Sequence, residues 1–271
     1  MSHHSGKRAV GGFVAGGAIG ALGGLIGLGG AEFRLPVLKG VFHLETLEAV
    51  IFNKAMSLIV VTVALIARSV TILSTELFEY WPIALNLLAG SLIGAWLAAG
   101  SAIRMNAKTL DYVVFSLLVG LAALMIVQHL ANPGPTAEPM LDDGTVRWVA
   151  GFVAGLGIGA IAAFLGVAGG ELLIPTITLL YGVDIRLAGS LSLAISLPTM
   201  LVGMLRYAGA DAFTVLGRER SLFTGMGLGS AAGAVAGGLA IGLVAPDWLI
   251  VLLAGILLLS AWKAFGDARR N

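Results

Sequence analysis

Acidic residues stand inside two glycine-rich stretches of an otherwise apolar chain. GLGGAEFRLP (27–36) holds Glu32 and Arg34, and GVAGGELLIP (166–175) holds Glu171 at the matching place. A carboxylate is costly to bury in lipid, so an acid there usually has a function, such as carrying protons or tuning the charge of a substrate. It can also cap the exposed N–H groups of its own helix. The sequence leaves both roles open.

Glycine and proline surround the acids in both stretches. Gly27 and Gly166 predict the points at which a helix breaks, and Pro36 and Pro175 are expected in the early turns of the following helix, where no amide donor is needed. N–H groups bared at the start of that helix, together with its dipole, would form an anion site. The residues expected to contact substrate there are Gly29, Gly30, Ala31, Glu32, Gly169, Gly170 and Glu171.

Polar residues recur on the apolar segment after each break. FNKAMSLIV (52–60) aligns with LSLAISLPT (191–199), which sets Asn53 opposite Ser192 and Ser57 opposite Ser196. We expect these four side chains to line a substrate cavity. The alternative for the serines is a hydrogen bond within their own helix or to a neighbouring helix.

The basic residues near these segments have two interpretations. Arg34, which faces Leu173 in the alignment of the stretches, either pairs with Glu32 or a substrate oxyanion, or snorkels to lipid headgroups. Other basic and aromatic residues near segment ends are expected to be interfacial rather than ligands. They are Lys54, Arg206, Tyr207, His43 and His129.

The composition is typical of a membrane protein, so these residues are expected to lie within membrane segments. The 271 residues are 58% hydrophobic and 11% charged, with a mean hydropathy of +0.97, whereas soluble domains carry about 25% charged residues. The net charge of +1 suggests no nucleic-acid partner, and the chain has no cysteine for disulfides, thiolate metal sites or relay chemistry. We therefore predict an all-α polytopic membrane protein without metal or cofactor.

An internal repeat divides the chain. Residues 12–38 and 151–177 are related by an offset of 139 residues and are identical at 12 of 27 positions. We predict an N-terminal repeat at 1–135, a linker at 136–145 and a C-terminal repeat at 146–271. Each half is expected to have about five membrane segments, one of them short, and an odd number of crossings makes the halves inverted. Broken helices would then meet near mid-membrane, an arrangement typical of secondary transporters.

Basic residues at the ends of segments support inversion, because they gather on the cytoplasmic side if both termini are cytoplasmic. Residue usage suits a bacterial inner membrane. The expected partners are lipid, protons and a small anion, and a homodimer is left open.

The two stretches, the half-chain offset and the polar helix after each break resemble the TauE/SafE family of sulfite exporters. The resemblance covers essentially the whole chain and implies export of sulfite, sulfoacetate or another organosulfonate across the plasma membrane. Many members carry a third glycine and then an apolar residue where Ala31, Glu32, Gly170 and Glu171 stand here. These glutamates favour proton coupling through Glu32 and Glu171.

An enzyme and a cation carrier are the two other functional classes that such a membrane protein could belong to. No HExxH motif, intramembrane aspartate pair or serine–histidine pair indicates an enzyme. A cation or metal-ion carrier that uses Glu32, Glu171, Asn53 and unwound carbonyls is the stronger alternative. A site wall dominated by donors would indicate an anion, and one dominated by acceptors would indicate a cation.

Overall fold

The computed structural model describes residues 2–26, 31–69, 79–131, 139–142, 144–183 and 185–239, without every side chain in those ranges. The predicted final segment at 247–265 lies outside them. The described residues form helices and connecting turns, with no strand. The helices are α1 Ser2–Ile26, α2 Ala31–Gly40, α3 Thr46–Ser69, α4 Trp81–Arg104, α5 Ala107–Ala131, α6 Thr145–Leu165, α7 Gly170–Tyr181, α8 Ile185–Tyr207, α9 Val215–Arg218 and α10 Arg220–Leu239.

Four of the described helices are long and apolar enough to cross a membrane. They include spans at Thr46–Val63, Trp81–Arg104, Thr145–Leu165 and Leu187–Tyr207, and Gly170–Tyr181 is a shorter apolar helix. At about 1.5 Å per residue, the 24 residues of α4 reach about 36 Å, which exceeds a hydrocarbon core of about 30 Å. The prediction of an all-α polytopic membrane protein is confirmed.

Two helix pairs approach closely because small residues line their contacts. A Cβ built on Gly16 of α1 would lie 2.3 Å from the carbonyl oxygen of Met226 in α10, and one built on Gly155 of α6 would lie 2.3 Å from that of Leu87 in α4. Small residues allow such backbone contact between helices in a bilayer. The glycines that make it are Gly12, Gly16, Gly20, Gly225, Gly229 and Gly233 in the first pair and Gly90, Gly94, Gly155 and Gly159 in the second.

These pairs follow the sequence repeat. The offset of 139 residues carries Gly16 and Gly20 of α1 onto Gly155 and Gly159 of α6. It also relates Gly90 and Gly94 of α4 to the α10 glycines at 229 and 233. The first helix of each predicted half, α1 or α6, therefore packs on a helix of the other half, α10 or α4, and these two partners correspond in the repeat. This exchange agrees with a twofold-related pair of repeats, which stays a prediction.

Each short helix folds back beside the helix before it. Arg8 in α1 donates a 2.9 Å hydrogen bond to the carbonyl of Phe42, just after α2. Tyr181 at the end of α7 packs edge-on against Trp148 in the first turn of α6, with ring centroids 6.3 Å apart. Helices α1–α2 and α6–α7 are therefore re-entrant hairpins, in which the chain returns to the end of the bundle where it entered, and the prediction of about five membrane segments in each half stays a prediction.

The two hairpins start at opposite ends of the bundle. Lys39, at the end of α2, forms an ion pair with Asp111 in the first turns of α5, next to the end of α4. Asn86, near the start of α4, donates to the carbonyl of Trp148 in α6 over 2.8 Å. Helix α4 thus runs from the end of the bundle where α6 starts to the opposite end, where α1 starts and α2 ends. Helices α1 and α6 therefore point in opposite directions. The opposite directions of α1 and α6 agree with inverted halves, and inversion stays a prediction.

Candidate functional site

The second-half break occupies the turn between α6 and α7. Gly166 follows the last residue of α6 with a φ of 67°, and Gly169 precedes α7 with a φ of 83°. Both angles lie in the left-handed region, which glycine adopts without steric cost. A Cβ on Gly166 would also lie 2.3 Å from the carbonyl oxygen of Val50 in α3. Helix α3 can therefore pack directly on the break.

The prolines lie in the early turns of their helices, as expected, but past the positions at which no amide donor is needed. Pro36 and Pro175 are each the sixth residue of their short helix, beyond the first turn. At that position a residue normally donates to the carbonyl four residues earlier, which is that of Glu32 or Glu171. Proline cannot make this bond. Each proline therefore removes a helical donor at the carbonyl of a predicted site glutamate.

Asn53 joins the two broken hairpins. Its Nδ2 donates to the carbonyl of Ala31, the first residue of α2, over 2.9 Å, and to that of Leu165, the last residue of α6, over 3.0 Å. The side chain has no solvent exposure. Asn53 is the eighth residue of α3, so it lies about 11 Å along that helix. The two re-entrant hairpins therefore meet inside the bundle, at one amide.

Arg34 also lies at the junction of the two hairpins beside Asn53, and it is fully buried. Its Nη1 donates to Oδ1 of Asn53 and to Oγ of Ser57, each over 3.3 Å. Ser57 in turn donates to the carbonyl of Gly166 over 3.4 Å. The alternative of an arginine that snorkels to headgroups is therefore wrong. Arg34 brings a permanent positive charge to the meeting point of the hairpins.

Lys54 and Tyr207 are also buried, contrary to the expectation that they lie at the interface. Lys54 has no exposed surface and donates to the carbonyl of Ala162 over 3.3 Å. Helix α3 begins at Thr46, three residues before the membrane segment that the hydrophobic pattern predicts at about 49–67, which sets Lys54 deeper in the bundle. Tyr207 is the last residue of α8, but its hydroxyl donates to the carbonyl of Ala163 over 3.1 Å.

The predicted residues of the second half gather around the start of α7. Ser192 is buried and donates to the carbonyl of Gly189 in its own helix over 2.8 Å, and a Cβ on Gly170 would lie 3.7 Å from its Oγ. Glu171 is 6% exposed. Ser196 is 1% exposed, and its hydroxyl has no hydrogen-bond partner among the described residues.

Some predicted site residues lie wholly or partly outside the description. Gly27, Gly29 and Gly30 are outside the described residues, and so are the side chains of Glu32 and His129. His43 is exposed in the turn between α2 and α3.

A family model described as "Sulfite exporter TauE/SafE" matches residues 13–264. The chain belongs to the TauE/SafE family. No curated protein and no solved structure matched. The match covers nearly the whole chain, so the family resemblance of the two stretches is confirmed, and the chain is a multi-pass membrane protein of a transporter family.

Within this TauE/SafE protein, side-chain donors meet backbone carbonyls in the described part of the junction. A guanidinium, an ammonium and an amide converge there from Arg34, Lys54 and Asn53, all with no solvent exposure. Burying a charge is costly unless it is compensated, so a cation at this depth needs a negative or acceptor group beside it. Among the described residues no group of three or more His, Asp or Glu side chains is arranged to hold a metal ion.

Sequence reasoning missed Lys54 as a member of the junction. Its position directly after Asn53 was the available signal, since both residues reach the last turn of α6. Successive helical residues point about 100° apart, but a lysine side chain is long enough to reach the same neighbouring helix.

Proposed function

We propose that this protein is a secondary transporter that exports small sulfur-containing anions, such as sulfite, sulfoacetate or another organosulfonate. The observation that carries the proposal is the burial of Arg34 beside Asn53, where the two re-entrant hairpins meet. A guanidinium presents N–H donors in a fork that matches an oxyanion. The family description supports sulfite as one such anion and export as the direction.

The proposed binding set consists of donors on both hairpins and on the helices after them. Arg34, Asn53 and Ser57 would hold one side of the anion. The start of α7 at Gly169 and Gly170, whose first N–H groups have no intrahelical acceptor, would hold the other. Ser192 and Ser196 would complete the set from α8. The buried hydroxyl of Ser196, which has no hydrogen-bond partner among the described residues, supports its inclusion.

Proton coupling through Glu32 and Glu171 forms part of the proposal. Glu171 is buried in the first turn of α7, beside the proposed anion contacts. An ionised carboxylate there would repel an anionic substrate, so we expect Glu171 to bind a proton when the anion binds. Movement of the hairpins would then carry the anion and the proton across a plasma membrane in alternating access.

The test is transport in liposomes that contain the purified protein and a pH-sensitive dye. Gradients of sulfoacetate, sulfite, sulfate and Mn²⁺ are imposed in turn, and flux is compared with that of protein-free liposomes. The variants are Arg34→Gln and Glu171→Gln, with exposed Arg220→Gln and Glu79→Gln as matched controls. Sulfoacetate is the most informative probe because its sulfonate stays ionised and crosses lipid poorly.

We expect sulfoacetate flux with a pH change in wild type and both controls. Arg34→Gln should abolish the flux, and Glu171→Gln should abolish the pH change. Anion flux that persists without any protein-dependent pH change would leave an anion facilitator and refute the proton coupling. Flux of Mn²⁺ with no anion flux would refute the anion carrier in favour of the cation alternative.

A further inference from the structure

Lys54 differs from the other buried cation of the junction in having a single polar contact. Its Nζ donates to the carbonyl of Ala162 over 3.3 Å, and among the described residues no carboxylate oxygen lies within 4.0 Å of it. An ammonium group has three donors. Two donors of a fully buried side chain therefore find no acceptor in the described part of the protein.

The end of the Lys54 side chain packs against Gly203 in α8. A Cβ built on Gly203 would lie 3.1 Å from Nζ and 3.3 Å from Cε. The missing side chain at this position leaves the space that the end of the lysine occupies. The same face of α8 carries Ser192, Ser196 and Thr199, about three, two and one helical turns before Gly203.

The structural role available to Lys54 is to cap α6. The last carbonyls of a helix lack intrahelical partners and carry the negative end of its dipole, which a cation stabilises. The carbonyl of Ala162 already accepts from the backbone N–H of Val167 over 3.1 Å, so it does not require a lysine. A lysine that only capped the helix would be buried without a compensating negative group, which is costly for an ammonium.

We infer that Lys54 is a second cationic ligand for the transported anion and makes the site select substrates with two negative charges over substrates with one. The inference rests on the proposed anion transport. Arg34 compensates one negative group, and Lys54, one residue from Asn53, which Arg34 contacts, compensates a second. The substrate class is then a dianion such as sulfoacetate or fully ionised sulfite.

The test compares two probes that differ by one charge and little in shape. Sulfoacetate carries two negative charges at neutral pH, and sulfoacetamide carries one. Their affinities for the purified full-length protein are measured by equilibrium dialysis with wild type, Lys54→Gln and Lys54→Arg. Lys54→Gln keeps a donor for the carbonyl of Ala162 but removes the charge. The exposed Lys108→Gln is the matched control.

We expect wild type and Lys108→Gln to bind sulfoacetate at least about tenfold more tightly than sulfoacetamide, the effect of one buried hydrogen bond to a charged group. Lys54→Gln should lose this preference with little change in sulfoacetamide affinity, and Lys54→Arg should keep part of it. A Lys54→Gln protein that retains the preference, or that loses both affinities equally, would overturn the inference.

A second variant covers the case in which Lys54→Gln does not fold. Gly203→Ala places a methyl group against the end of Lys54, which must shift by a few tenths of an ångström. We expect this variant to fold and to lose about threefold in sulfoacetate affinity, with sulfoacetamide affinity unchanged, because a displaced ammonium makes a weaker charged hydrogen bond. An unchanged ratio in a folded Gly203→Ala protein would count against Lys54. If wild type binds neither probe, the anion proposal itself fails, which is distinct from failure of the Lys54 assignment.

Discussion

Replacing Asn53 with alanine tests whether one amide holds the two hairpins together. The substitution removes the donors to the carbonyls of Ala31 and Leu165 and the acceptor for Arg34. Side-chain hydrogen bonds between membrane helices contribute about 0.6–1.7 kcal/mol each. Three such bonds amount to about 2–5 kcal/mol in the free energy of unfolding.

The assay is unfolding of the purified protein by SDS titration in mixed micelles, followed by tryptophan fluorescence. Ser192→Ala is the matched control, because the repeat aligns Ser192 with Asn53. The hydroxyl of Ser192 bonds within its own helix to Gly189, so its loss should cost less than about 0.7 kcal/mol. Asn53→Asp adds a further comparison, since it keeps the acceptor for Arg34 but points an oxygen at two carbonyls.

An Asn53→Ala protein that unfolds with the same free energy as Ser192→Ala would refute this reasoning. Asn53 would then be a polar residue that happens to contact the hairpins, not one that fixes them. Asn53→Asp should be at least as unstable as Asn53→Ala at neutral pH, because its carboxylate faces the carbonyls of Ala31 and Leu165. Wild-type stability in Asn53→Asp would also contradict the assigned donors.

Three further predictions concern packing and surface charge. Gly16→Ala should disrupt the α1–α10 contact, since its Cβ would lie 2.3 Å from a backbone oxygen, and size-exclusion chromatography should show aggregation. Gly166→Ala should lower the free energy of unfolding by at least about 1–2 kcal/mol, because alanine at a φ of 67° is strained, whereas Gly120→Ala, with no atom within 4 Å of its Cβ, should not lower it. Arg218→Ala should cost less than about 1 kcal/mol because Arg218 is exposed. Glu48 raises the pKa of Arg218, so the arginine stays charged through the physiological range and its contribution should weaken with salt but not with a rise in pH from 7 to 9.

The sequence was sufficient to predict the broken helices and most of their partners. Glycine tolerates a positive φ, so GVAGG (166–170) indicated a break, and α6 ends at Leu165, directly before that pattern. The polar residues on the next helix were identifiable because an apolar span contains few of them. Asn53 and Ser57 were named on this basis, and both contact the break.

The sequence did not predict that each short helix folds back along the helix before it. Length and hydropathy indicate how far a helix reaches but not the direction in which it leaves a break. The contact between Tyr181 and Trp148, which shows the reversal in the second half, joins residues 33 positions apart. It depends on tertiary packing that a single sequence does not specify.

The burial of Lys54 was missed for a related reason. A lysine near a predicted helix end is usually an anchor at the interface, and an error of three residues in the start of α3 placed it there. The space for its ammonium comes from Gly203, in a helix about 150 residues later. Nothing local to Lys54 indicates that space.

The central claim, that Arg34 binds the transported anion, is tested most directly by equilibrium binding of radiolabelled sulfoacetate to the purified protein. Wild type and exposed-site Arg220→Gln should bind it equally, and folded Arg34→Gln should lose at least about tenfold in affinity, as expected for a buried hydrogen bond to a charged group. Undiminished sulfoacetate binding by a folded Arg34→Gln protein would contradict the claim.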